Sequence, residues 1–259
     1  MENRRQMKKF KKPFLFSAAM LPLIVAAVIL TAFYQIQLYP SDIIAGAVNQ
    51  LGSKTALIIL SSVQGSLLVA ACCFFGYILA DKTGLWIPLY IEKDKLLKAL
   101  ALSVSAGLVF SLDYWTFGAY EPLIQSSITG AGLSAAGFGA AVLYGGIAEE
   151  ILMRLFLMSL IAFILWKLFF RNTSKNKLPD KIFISVNIIS ALLFAAGHLP
   201  ATVTAFGALT PMLLARCFLL NGIFGLLFGR LYRRYGIWYA MAAHMLVHIV
   251  SKAVWLILI

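Results

Sequence analysis

Two adjacent glutamates, Glu149 and Glu150, and an arginine four residues beyond Glu150, Arg154, interrupt a long apolar run, "GGIAEEILMRLFLM" at 145–158. An ionised side chain near the centre of a bilayer costs about 2.5 to 3.5 kcal/mol on insertion scales, so three within six residues require a compensating role. Winding at about 3.6 residues per turn puts Glu150 and Arg154 on one helix face, where an ion pair offsets part of both burial costs. Glu149 points elsewhere. It is the carboxylate left free to bind a metal or take a proton.

The chain has only three histidines, His198, His244 and His248, all within or at the ends of apolar runs in its last third. His198 closes "FAAGH", and His244 and His248 lie four apart on one face of the last run. A lone histidine on an apolar helix is ordinarily satisfied by an interhelical hydrogen bond. Three of them with an unpaired glutamate form a set suited to activating water: ligands or general bases for the water, and donors for an oxyanion. A pair at i, i+4 is also how a helix presents two imidazoles to one zinc. These residue types point to an intramembrane functional site without fixing its reaction.

The elements that must position them are membrane helices. Of 259 residues, 61% are hydrophobic and only 12% charged, far from the roughly 45–50% and 25% of soluble domains. Apolar runs of bilayer-spanning length, about 20 residues, recur near 14–39, 55–80, 96–117, 133–168, 182–199, 210–231 and 236–258. The expected fold is all-α, a polytopic bundle of seven spans with room for an eighth. The alternating pattern of a barrel strand is absent.

The net charge of +12 is distributed as topology rather than as a nucleic-acid surface. Basic clusters fall at Arg4, Arg5, Lys8, Lys9, Lys11 and Lys12; at Lys93, Lys95 and Lys98; at Lys167, Arg171, Lys175, Lys177 and Lys181; and at Arg230, Arg233 and Arg234. The intervening loops at 40–54, 118–132 and 199–209 hold one lysine among them. The positive-inside rule then places the N-terminus in the cytoplasm and the C-terminus outside. The first apolar run is too long for a cleaved signal peptide and reads as a retained span.

Cys72, Cys73 and Cys217 lie in apolar runs, form no CxxC pair and read as small buried residues. Gly145, Gly146 and the Gly225/Gly229 pair read as close-packing positions. The stretch at 81–95, with Trp86, Tyr90 and several charges, suits either a segment at the membrane interface or a plain loop.

Three ordered motifs carry a resemblance. "EEILMR" at 149–154 matches EExxxR, "FAAGH" at 194–198 matches FxxxH, and "FGLLFGRLYRRYGIWYAMAAHMLVH" at 224–248 resembles the closing block of the CPBP, or Abi, intramembrane proteases. That family groups the type II CAAX prenyl endopeptidases with bacterial proteins linked to bacteriocin self-immunity, and the resemblance covers about residues 130 to 250. It implies that Glu149 and His198 position and activate the hydrolytic water, that Glu150 and Arg154 support the site, and that His244 orients the substrate carbonyl or stabilises the oxyanion. It also implies a metalloprotease whose divalent metal, zinc first, is held by Glu149, His198, His244 and His248, or the same hydrolysis by a glutamate base alone. The closing motif, HxxxN or HxxxD in the family, reads His244 to His248 here. That histidine is an oxyanion donor, a further metal ligand, or the mark of lost activity.

The expected organisation is an N-terminal group of spans without motifs at 1–130 and a protease-like core at 131–259, packed as one membrane domain. The implied setting is a bacterial cell membrane, with lipids around the bundle and a membrane-associated or prenylated protein or peptide as substrate. Two other readings compete: a non-catalytic immunity or scaffolding protein of the same fold, and a transporter or proton pathway, against which no repeat relates the two halves. One geometric difficulty stands. With straight spans, His198 at the outer end of its run lies too far from mid-span Glu149 and from His244, unless tilt or a re-entrant path at 198–211 brings them to one cavity.

Overall fold

The computed structural model describes residues 2–174 and 179–259, with side chains from Phe10 onward. Lys175 and Lys177 of the third basic cluster, and the side chains of Arg4, Arg5, Lys8 and Lys9, lie outside the described residues. The chain folds as α1 (Glu2–Leu38), α2 (Ser41–Leu51), α3 (Lys54–Thr83), α4 (Lys93–Ser111), α5 (Phe117–Tyr120), α6 (Pro122–Thr129), α7 (Ala135–Gly139), α8 (Ser159–Phe169), α9 (Asp180–Gly197), α10 (Leu199–Phe206), α11 (Pro211–Cys217), α12 (Ile223–Tyr235) and α13 (Ile237–Leu258). Seven helical stretches are long and apolar enough to cross a membrane: Phe10–Leu38, Lys54–Thr83, Lys93–Tyr120, Ala135–Phe169, Asp180–Phe206, Pro211–Tyr235 and Ile237–Leu258. No strand occurs among the described residues. The protein is a polytopic all-α membrane protein, as its composition predicts.

Burial follows the logic of lipid as solvent. Large apolar side chains such as Phe14, Ile59, Leu67, Leu192 and Ile257 face outward, whereas Ser62, Ser103, Ser111, Ser159, Ser190 and Ser251 are buried. In hydrocarbon the outward faces cost nothing, and association rests on close packing and internal hydrogen bonds. The three cysteines are buried and unbridged, as expected.

Small residues set how closely the helices approach. Gly225 lies against Ala191 and Gly229 against Asn187, seating α12 on α9. Gly76 of α3 abuts the backbone at Leu155, and Gly107 of α4 abuts Val247 and Val250 of α13. The N-terminal spans therefore pack directly on the elements that carry the motifs.

Three departures from the sequence reading matter for the site. The apolar loops at 40–54, 118–132 and 199–209 contain helices: α2, α5 with α6, and α10. The fifth crossing runs on to Phe206, so His198 sits at the α9–α10 junction inside the crossing rather than at its end. Pro200 permits this restart because a proline in a first helical turn has no amide to leave unpaired. The third departure is in winding, because Ala140–Glu149 and Ile151–Met158 are π-helical rather than α-helical. Such wide turns are frequent at functional sites. The stretch at 81–95 divides between the two readings offered for it: helix to Thr83, then an irregular connection in which Trp86 packs on Phe16 and Tyr77 while Tyr90 is exposed.

Candidate active site

Glu149 and Glu150 end and follow the first π-helical segment and diverge as expected. Glu150 is fully buried and its Oε1 lies 3.2 Å from an Arg154 guanidinium nitrogen. Arg154 is itself buried, donates to the Gly225 carbonyl at 3.1 Å, and lies over the Phe194 and Phe228 rings at 5.0 and 5.6 Å. One guanidinium thus joins the fourth, fifth and sixth crossings. The Glu150–Arg154 contact is an ion pair by distance without an aligned hydrogen bond, and among the described residues Glu150 Oε2 has no hydrogen-bond partner. What Glu150 Oε1 does bind is His244, whose Nδ1 donates to it at 2.9 Å.

Glu149 turns to the histidines instead. His198 Nε2 lies 3.7 Å from Glu149 Oε1, and His244 Nε2 lies 4.0 Å from Glu149 Oε2. His248 Nε2 lies 3.2 Å from His244 Nε2. The rings are held by aromatic neighbours: Phe228 stacks on His244 at 4.2 Å, while Phe194 and Phe110 meet His198 and His248 edge-on. All six residues singled out in the sequence are brought to one place, and the difficulty of depth disappears because His198 lies within its crossing.

Ring partners assign the tautomers. His198 Nδ1 lies 2.8 Å from the Phe194 carbonyl, which only accepts, so Nδ1 carries a proton and, in the neutral ring, Nε2 presents a lone pair toward Glu149. His244 Nδ1 likewise donates to Glu150. Its Nε2 then shares a single proton with His248 Nε2.

Glu149, His198, His244 and His248 line one cavity of about 540 Å³. The sequence reading gave no part in the site to several residues that also line it. Arg216 of α11 makes a bidentate pair with buried Asp113, at 2.8 and 2.6 Å. Lys252 of α13 is buried, and Gly145 lies under the two α13 imidazoles. Asp113, Arg216 and Lys252 are charges inside apolar runs, the same signal that singled out Glu149.

The donor chemistry suits a divalent metal, since the His198 and His244 rings are oriented through Nδ1 by a carbonyl and a carboxylate, as zinc-bound histidines are. Tetrahedral ligands about 2.1 Å from zinc lie about 3.4 Å from each other, and these atoms form successive pairs at 3.7, 4.0 and 3.2 Å. Among the described residues, no group of three or more His, Cys, Asp or Glu side chains is arranged to hold a metal ion.

Comparison with curated proteins finds no match to the chain, and neither does comparison with solved structures. Residues 131–250, the segment that supplies Glu149, Glu150, Arg154 and all three histidines, match the family model described as type II CAAX prenyl endopeptidase Rce1-like, the same likeness that the EExxxR, FxxxH and closing motifs carry.

Proposed function

We propose that this protein is an intramembrane endopeptidase that hydrolyses a peptide bond in a membrane-associated, prenylated or otherwise lipid-modified protein or peptide. The observation that carries the reading is the 3.7 Å approach of Glu149 Oε1 to Nε2 of His198. With the imidazole neutral and the carboxylate ionised, both atoms are acceptors. A water about 2.8 Å from each donates one hydrogen to the carboxylate and one to the imidazole, and its remaining lone pairs face the cavity.

The step is general-base attack on a carbonyl. Glu149 takes the water proton as the oxygen bonds to the carbonyl carbon, and the proton shared by His244 and His248 is donated to the developing oxyanion. Collapse breaks the C–N bond, and Glu149 returns its proton to the leaving amine. Glu150 holds the His244 ring, and Arg154 holds Glu150 in place.

The cavity also supports a direction of access. Its lining comes from the C-terminal parts of α1, α4, α9 with α10, and α13, and from the N-terminal parts of the fourth and sixth crossings. All of these belong to the half of the bundle away from the basic clusters. Under the positive-inside rule that half is extracytoplasmic, so the substrate bond enters from the outer side.

The test is hydrolysis of a prenylated reporter peptide by detergent-purified protein and by Glu149→Gln. Loss of a positioned general base lowers kcat by about 10²- to 10⁴-fold. Full activity in Glu149→Gln would overturn the assignment. Zinc measured in the same samples decides the metal alternative: stoichiometric zinc in the wild type that is lost in Glu149→Ala would replace the general-base mechanism.

A further inference from the structure

At the end of the bundle that carries the basic clusters, a small cavity of about 80 Å³ opens between α4 and α12. Lys98 and Leu102 line it from α4, and Leu227, Arg230, Leu231 and Arg234 line it from α12. The spacing of the four α12 residues puts them in one stripe along that helix. Both helices pack on α13 but meet each other over only a short stretch, which leaves a groove between them. Lys98, Arg230 and Arg234 bring three positive charges to this groove. All three are exposed, and among the described residues none makes an ion pair, a hydrogen bond or a ring contact. Neighbouring cations are engaged: Lys95 pairs with Glu92 at 2.8 Å, and Arg233 lies 3.4 Å from Asp180 and 4.0 Å from the Phe183 ring centroid. Topology does not require this placement. The positive-inside bias is satisfied by charges in the connections, whereas Lys98 lies five residues inside α4 and Arg230 five residues before its crossing ends, each about 7.5 Å from a helix end. Long cationic side chains at that depth reach headgroup level while their stems lie along apolar surface.

We infer that this groove binds the phosphate headgroup of an anionic phospholipid from the leaflet on the side of the basic clusters, with the acyl chains along Leu102 and Leu227. Both leucines lie deeper in their crossings than the cations, and Leu102 is exposed. Basic pockets between membrane helices hold anionic headgroups in this way, and guanidinium groups match phosphate oxygens in pairs. Three unmatched cations select a headgroup with net negative charge over a zwitterionic one, whose own ammonium cancels its phosphate. The inference stands apart from the hydrolytic reading, since none of these residues lines the larger cavity. It has a structural consequence for that cavity all the same. A lipid seated here spans the two helices that flank α13, where Phe228 of α12 stacks on His244 and Gly107 of α4 abuts Val247. Its binding braces the helix that carries His244 and His248.

Equilibrium binding of chain-labelled phosphatidylglycerol and phosphatidylcholine, with identical acyl chains, to the detergent-purified full chain tests this. Wild type is expected to bind phosphatidylglycerol about tenfold or more tightly, since each cation near an anionic headgroup contributes about fivefold. The triple variant Lys98→Gln/Arg230→Gln/Arg234→Gln is expected to bind both lipids as wild type binds phosphatidylcholine. A second triple variant, Lys93→Gln/Arg171→Gln/Lys181→Gln, removes the same charge from the same end of the bundle and is expected to keep the preference. Equal affinity for the two lipids in the wild type overturns the inference whether or not either variant folds. A preference that survives in the groove variant overturns it too, and equal losses in the two variants would replace the groove by a diffuse surface field. Inorganic phosphate, matched in ionic strength to a chloride control, is expected to leave lipid binding unchanged. Displacement by phosphate and not by chloride would make free phosphate the occupant and overturn the lipid.

Discussion

Gly145 lies directly against His248: a Cβ at position 145 would sit 2.9 Å from His248 Nε2 and 3.3 Å from His244 Nε2. The absence of a side chain at this point of the fourth crossing leaves room for two imidazoles to lie side by side, ring centroids 4.9 Å apart. Gly146 does the same for Met245, the residue that follows His244 in α13. Glycines that read as packing positions in the sequence thus set the width of the site.

Gly145→Ala is therefore expected to displace His248 and His244 while leaving the bundle folded. Overpacking of this kind costs about 1–3 kcal/mol, a modest fall in melting temperature, whereas hydrolysis falls by tenfold or more because the shared imidazole proton moves. Size-exclusion profile, melting curve and kcat on one preparation check it. An alanine variant with wild-type kcat would show that the histidine pair is not needed where it stands.

Glu150 and Arg154 are buried together, so removing one partner strands the other. Glu150→Leu and Arg154→Met are each expected to lose about 3–5 kcal/mol of stability, and the double variant less than the sum. Thermal unfolding in detergent reads this directly. Additive losses would mean that the pair is not coupled.

His248→Asn restores the residue type found in the related closing motif and still offers an N–H donor. It is expected to retain hydrolysis within about tenfold, whereas His248→Leu loses about 10²- to 10³-fold, the usual effect of removing an oxyanion donor. Gain of activity only in the asparagine variant would identify the wild type as a binding protein that keeps the fold.

Access from the face opposite the basic clusters is read by cysteine labelling in intact cells. A membrane-impermeant thiol reagent is expected to modify Ala208→Cys, in the exposed connection between α10 and α11, and to leave Asn172→Cys, in the basic connection after α8, unmodified until the membrane is opened. The reverse pattern would turn the cavity toward the cytoplasm.

Seven crossings, the all-α fold and the six clustered residues are legible in the sequence because hydropathy, charge spacing and rare buried charges are local properties of a membrane chain. The Glu150–Arg154 pair follows from a four-residue spacing that persists even where the winding is π-helical. What the sequence could not supply was the depth of His198, because the apolar loop after it gives no sign that helix resumes at Leu199 within the same crossing.

Tertiary structure alone decided which charges meet. Glu149 and Glu150 are neighbours of one type in one apolar run, yet one faces two histidines across a cavity and the other is sealed against Arg154 and His244. Asp113 and Arg216 lie 103 residues apart and cancel, whereas Lys252, in an equally apolar run, meets a carbonyl and the Trp255 ring and, among the described residues, no carboxylate. Sequence fixes the cost of burying each charge; which other charge lies within 3 or 4 Å depends on helix contacts between distant segments.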